Sequence, residues 1–370
     1  ASEDHTGKAF DGINGYNDNS NVMTFDKNSL EKILVNSGLK NFRFYYPEPD
    51  YKLPNYIFTD KTFPSNNITS KIHHYYQPGS FLIADEKKIL DDVINNQVYS
   101  FFANSFLVEA SETAIDEKQN PNLVVFNNER KPEYRLITSV YDDVVYKIPQ
   151  NKKAIPHLYT IMENTKELKA KGIKVIENTL EDGRISLPFV KEKTFDKVII
   201  DLILEYKIDE AKKLVSEFNK EILKSSDKTS HNILIENKIV DENCKLDFGP
   251  ILKKGYVDMT FFNCFYINGE FVFMDQEWAQ YDVPAEYVMF RSFYCIWLQC
   301  KEISEKFNAK DFIKMFNINT DILDIGRQLN EMLCNDIFAY FNVSPFFSYL
   351  SSTGKFKQNY EDVVYQAREN

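Results

Sequence analysis

The sequence predicts an α+β fold on three observations. Between residues 123 and 151, short runs of strand-forming residues are separated by turn residues. Further on, an Asn-Gly pair stands between two apolar runs, and from Pro284 onward the pattern is mainly helical. Taken in order, "TFDKNSLEKILVNSGL" predicts a short amphipathic helix with Asp26 or Asn28 as its cap, Leu30, Ile33 and Leu34 on one face, and Gly38 as its stop. "KNFRFYYP" predicts a strand closed by prolines, and "FFANSFLVEA" a second one. Residues 47 to 80 between them are crowded with Pro, Asn, Ser and Asp and read as an irregular loop.

The polar stretch "SETAIDEKQNPN" (111 to 122) suggests a domain boundary, with segments 1–112 and 113–370 on either side. "LVVFNNERKPEYRLITSVYDDVVYKIPQN" then predicts three antiparallel strands with turns at Asn127 to Pro132 and at Asp142-Asp143. "IPHLYTIMENTKELKAKG" predicts a helix, with Pro156 suited to its first turn and Gly172 as its stop. Two strand-like runs, "IKVIENTLED" and "GRISLPFVKE", precede a solvated amphipathic helix from about Asp209 to Lys224.

Composition narrows the function classes. The chain has 370 residues, 43% hydrophobic and 27% charged, which is ordinary for a soluble protein and long enough for two domains. With 55 acidic against 44 basic residues the net charge is −11, which argues against nucleic acid as a partner. Cys244, Cys264, Cys295, Cys300 and Cys334 lack CxxC pairing, so neither a disulfide framework nor a structural zinc site is expected and a reducing cytoplasm fits. No run approaches the roughly 20 apolar residues of a membrane span, and "ASEDHTGKAF" has no signal-peptide character. The aromatic share of 15% reads as compositional drift, so clusters such as "RFYYP" and "HHYYQP" count for little as binding platforms. His5 and the pair His73-His74 have no partners at ligand spacing and read as surface residues.

The chemistry concentrates in residues 256 to 278, "YVDMTFFNCFYINGEFVFMDQEW". Asn268-Gly269 is a tight-turn signal, so "CFYI" and "EFVFM" form a hairpin with Asn263 and Asp275 near its open ends. Asp258, five residues before Asn263, lies in the loop alongside, and the three side chains can converge. Phosphoryl transfer to a hydroxyl needs such a set: a carboxylate that orients the hydroxyl proton, and hard oxygen ligands for magnesium. The alternative is a loop carboxylate and two hairpin-end residues that satisfy backbone donors.

Asp-x4-Asn followed by a hairpin and Asp resembles the protein-kinase and aminoglycoside-kinase superfamily. The resemblance implies a two-lobed domain, with a small antiparallel-sheet lobe at about 121–192 and a helical lobe at about 193–370. It implies ATP and Mg²⁺ as cofactors, Asp258 as base, and Asn263 and Asp275 as metal ligands, with Glu277 as an auxiliary ligand. Lys147 on the third strand and Glu163 on the following helix would orient the nucleotide, with Glu167 one turn on as a substitute, and "SLPFVKE" would be the adenine-binding hinge. A solvated strand lysine and an ordinary helix-surface glutamate are the plainer readings of Lys147 and Glu163. The first strand pair has no glycine-rich loop. "NNERKPEYR" stands there, so phosphates would meet Asn127, Asn128, Arg130 or Lys131, which otherwise read as turn residues. Tyr256-Val257 precedes Asp258 where His or Arg is usual, and Gln276-Glu277 follows Asp275 as in small-molecule kinases.

Residues 1–112, with "EDHTGKAFDGINGY", the helix, the strand and "FFANSFLVEA", resemble the carboxy-terminal part of a class I S-adenosylmethionine methyltransferase. The glycine-rich cofactor segment is missing, so S-adenosylmethionine belongs only to a longer parent and the chain reads as a fragment. The combination resembles the bacterial methyltransferase/kinase proteins that terminate O-antigen chains. This implies a sugar or polysaccharide acceptor in lipopolysaccharide or capsule biosynthesis. It also implies a cytoplasmic station, peripheral at the inner face of the membrane, beside a glycosyltransferase complex. Two alternatives stay open: a pseudokinase scaffold, which the missing glycine loop favours, and a truncated methyltransferase.

Overall fold

The computed structural model describes residues 25–49, 51–52, 54–65, 72, 86–116, 120–241, 243–244 and 248–339. The expectations for His5, His73-His74, "EDHTGKAFDGINGY" and the helical end beyond residue 339 lie outside them. The chain divides into two compact units, one of residues 1–131, 135–150 and 339–370, the other of residues 132–134 and 151–338.

In the first unit, helix α1 (Lys27–Asn36) starts where Asp26 accepts the Ser29 N–H at 2.8 Å. It ends at Gly38, whose φ of +86° suits a residue without a Cβ. Strand β1 (Asn41–Glu48) buries Phe44 and Tyr46, two residues apart and so on one face. β2 (Tyr56–Thr59) falls within the stretch read as a loop. It is four residues long and flanked by Pro54 and Asn55, too short for alternation to stand out. "FFANSFLVEA" is only half strand. After α2 (Glu86–Asn95), Phe101 and Phe102 close a helical turn, α3 (Tyr99–Phe102), and only Leu107–Ser111 is extended, as β3.

The three strands expected next are β4 (Leu123–Phe126), β5 (Leu136–Val140) and β6 (Val144–Pro149). The six strands run antiparallel in the order β3-β1-β2-β4-β5-β6. Strands on both sides of residue 112 therefore share one sheet, joined where Tyr56 to Phe58 pair with Leu123 to Val125. Phe44, Tyr46, Phe58 and Tyr99 form the core beneath, so these aromatics serve packing.

The second unit opens with α4 (Ile155–Ala170), which has Pro156 in its first turn, buries Leu158 and Ile161, and stops at Gly172 with φ +74°. A hairpin, β7 (Thr179–Glu181) and β8 (Arg184–Pro188), follows, then α5 (Phe195–Leu204), α6 (Ile208–Lys224) and the single turn α7 (Ile233–Glu236). Helix α5 had no expectation, because "VIIDLIL" is aliphatic on nearly every side and carries little periodicity. Helix α6 buries Ala211, Val215, Phe218 and Ile222 and exposes its charged face, as expected.

Strand β9 (Ile251–Tyr256) pairs with β12 (Ala279–Pro284), and between them the predicted hairpin forms from β10 (Cys264–Ile267) and β11 (Glu270–Phe273). Asn268 and Gly269 both have positive φ, as a two-residue hairpin turn demands. Helices α8 (Ala285–Gln299), α9 (Lys301–Lys306), α10 (Ala309–Met315) and α11 (Ile322–Ile337) complete the unit. Among the described residues no helix is long and apolar enough to cross a membrane.

Candidate active site

The loop that carries Asp258 is pinned from below. Val257, Met259 and Phe261 are buried, and the Phe261 ring lies edge-on to Phe195, Phe218 and Phe293 at 5.1, 4.8 and 5.2 Å. Apolar residues at alternate positions thus hold the chain while Asp258 turns the other way. Its Oδ2 accepts the backbone N–H groups of Glu277 and Trp278 at 3.0 and 2.9 Å, and 11% of the side chain remains exposed.

The hairpin brings the other two residues to the same place. The Asn263 Nδ2 donates to the Asp258 carbonyl at 3.2 Å, which turns its amide oxygen, the atom able to ligate a cation, away from that carbonyl. The Met274 N–H donates to the Asn263 carbonyl at 2.8 Å, so Asp275 follows directly on a residue bonded to Asn263. Gln276, wholly buried, closes the ring by donating from Nε2 to the carbonyls of Asp258 at 3.0 Å and Met274 at 2.7 Å. Asp275 has φ +56°, a left-handed backbone that costs a non-glycine residue about 1–2 kcal/mol. The Asp258 loop, Asn263 and the Asp275 turn are therefore tied together by the Asn263 and Gln276 side-chain amides and by the Met274 N–H.

Burial, more than charge, sets the state of the base candidate. Burial, reinforced by Glu277 and Asp275 and opposed by Arg291 and by the Trp278 N–H, pushes the Asp258 carboxyl up to about 7. Glu277 is buried with its Oε2 3.4 Å from His157 Nε2, and the His157 ring stacks on Trp278 at 4.6 Å. Tyr134 packs edge-on against both rings. Asn164 on α4 donates to the carbonyls of Gln276 and Glu277 at 3.1 and 3.3 Å. Helix α4 is thus fastened to the turn after Asp275 by Asn164 and His157, neither of which the sequence reading singled out.

Lys147 is buried on β6, opposite Thr138, and is engaged there, as a lysine at 5% exposure must be. Arg130 and Lys131 are half-buried in the turn between β4 and β5, where the Arg130 N–H bonds to Asn127 and the Arg130 carbonyl accepts from Arg135. Glu163 is exposed on α4. Glu167, its substitute, bonds to Lys254 and, at 2.6 Å, to the Tyr256 hydroxyl. Burial raises its carboxyl, but these bonds outweigh that and hold it below the usual value.

The donor set suits magnesium, a hard cation that takes oxygen ligands and keeps several waters. It pairs one amide oxygen with one carboxylate. Among the described residues no group of three or more His, Cys, Asp or Glu has the spacing to hold a metal ion unaided.

No protein-family model and no curated protein matches the chain. Among solved structures, the streptomycin–ATP–APH(2″)-IIa ternary complex is similar at 11% identity, over 64% of this chain and 92% of that one, with a TM-score of 0.34. A macrolide 2′-phosphotransferase type I is similar at 9% identity, over 66% and 90% of the two chains, with a TM-score of 0.30. Scores this low do not establish a common fold.

Proposed function

We propose that the protein is an ATP- and Mg²⁺-dependent phosphotransferase whose acceptor is a sugar hydroxyl of a bacterial surface polysaccharide. The observation that carries the reading is the geometry: buried Asp258 is tied by hydrogen bonds to Asn263 and to the turn of Asp275, and burial there pushes its carboxyl up to about 7. A carboxyl near neutrality is matched to taking a proton from a hydroxyl as that oxygen attacks phosphorus. Two backbone N–H groups hold Oδ2, so Oδ1 is the oxygen that meets the hydroxyl. Asn263 and Asp275 would hold magnesium, which neutralises phosphate charge when bound. Lys147, Arg130, Lys131 and Glu163 are assigned to the nucleotide. The acceptor class rests on the resemblance of the combination, a methyltransferase-like segment followed by a kinase-like one, to the bacterial proteins that terminate O-antigen chains.

Thermal stability with ATP, with and without Mg²⁺, tests the reading on wild type and Asp275→Ala. Ligand at 100 times its Kd adds about 2.7 kcal/mol. The expected result is a Mg²⁺-dependent rise in the wild type and none in the variant. No rise in either protein leaves a pseudokinase scaffold as the better description.

A further inference from the structure

Helix α8 grips the loop of Asp258 from both sides with two consecutive residues. Before the aspartate, Arg291 Nε donates to the Val257 carbonyl at 2.9 Å. After it, the buried Ser292 hydroxyl accepts the Phe261 N–H at 3.1 Å. The Arg291 guanidinium is engaged further: Nη2 lies 3.9 Å from Asp258 Oδ1, Nη1 donates to Asn330 Oδ1 on α11, and the Tyr287 hydroxyl one turn earlier on α8 also interacts with it. Helix α11 reaches that position because Gly326, one turn before Asn330, has no Cβ. An added one would lie 2.4 Å from the ring of Phe290, the neighbour of Arg291. Tyrosine and valine precede Asp258, so positive charge at this carboxylate arrives from a helix more than 30 residues downstream.

We propose that Arg291, anchored by Asn330, is the positioning residue that holds the Asp258 carboxylate in its reactive orientation. The proposal rests on the phosphotransferase reading for the role of Asp258, but the orientation itself is a property of the free protein. A planar guanidinium suits the task, because its fork donates to a backbone carbonyl and an amide oxygen while one edge faces the carboxylate at 3.9 Å, all from one rigid group. A lysine has one point charge for the three places. Ser292 fixes the other end of the loop, so removing Arg291 frees the Asp258 side while the Phe261 side stays fixed.

The experiment reads the orientation directly. The Trp278 N–H donates to Asp258 Oδ2, and the Glu277 N–H is shared between Oδ2 and the Asp275 carbonyl, so exchange at Trp278 is the primary report of where the carboxylate stands and Glu277 follows it in part. Exchange is followed in wild type, Arg291→Lys, Arg291→Met and Asn330→Ala, with Asp258→Ala as the limit in which that acceptor is gone. Expected is at least tenfold faster exchange at Trp278 in Arg291→Met, approaching the Asp258→Ala limit, with Glu277 following in part, and a smaller rise in Asn330→Ala. The Phe261 amide keeps its protection. Arg291→Lys restores only part of the protection, and as the milder change it keeps the comparison available where the methionine variant does not fold. Unchanged exchange at 277 and 278 in Arg291→Lys and Asn330→Ala overturns the proposal, as does equal loss at Phe261, which would mean general loosening.

Mg²⁺-dependent ATP turnover on the same proteins separates the two ideas. Exchange that rises while the wild type has no turnover sustains the positioning role and counts against the phosphotransferase reading. With turnover, kcat should fall about tenfold or more in Arg291→Lys at unchanged KM for ATP.

Discussion

Burial pushes the Asp258 carboxyl of the folded protein up to about 7, whereas an aspartate at its ordinary value of 3.8 releases its proton far earlier. Between those values the folded state binds more protons than the unfolded state, so this group lowers stability as pH rises. Asp258→Asn cannot ionise and escapes the loss. From about pH 5 to about pH 8, the loss accrues over the roughly two pH units below the folded value, at about 1.4 kcal/mol each, or ~3 kcal/mol in total. The asparagine keeps an oxygen for the Glu277 and Trp278 N–H groups, so the loop should still close. Any penalty from turning an amide NH₂ toward Arg291 is the same at both pH values and cancels. Urea unfolding of both proteins at the two pH values gives the quantity directly. The variant should gain ~3 kcal/mol on the wild type between them. A difference independent of pH would mean that Asp258 is ionised throughout, and would refute the claim that burial and its acidic neighbours outweigh Arg291.

Two further predictions concern the supports of the two units. Gly326→Ala should lower stability by about 1–3 kcal/mol despite the better helix propensity of alanine, because the new methyl meets the wholly buried Phe290 ring at 2.4 Å. A thermal melt with a higher midpoint would show that α8 and α11 part without cost. Tyr99→Phe removes the hydroxyl that donates to the buried Glu48 at 2.6 Å and should cost about 1–3 kcal/mol in denaturant unfolding. No loss would mean that water replaces the hydroxyl there.

Local chemistry made much of this legible. Asp26 and Gly38 bound α1, Pro156 and Gly172 bound α4, and Asn268-Gly269 turns the hairpin, because each signal acts within a few residues of itself. The hairpin was legible too, and the short spacing sets Asp258, Asn263 and Asp275 on it or beside it. Four-residue β2 and the aliphatic helix α5 were not legible, as neither shows a period from which to read a face.

By itself, then, the sequence determined the turns, the caps, the amphipathic helices and the hairpin on or beside which an acid, an amide and a second acid stand. Only the tertiary structure decided the surroundings of that set. Arg291 and Asn330 reach the Asp258 loop from helices α8 and α11, His157 and Asn164 reach the Asp275 turn from α4, and burial sets the charge of Asp258. Those contacts join residues from about 30 to more than 110 positions apart, and what brings such residues together is the burial of a shared core, which no local pattern encodes.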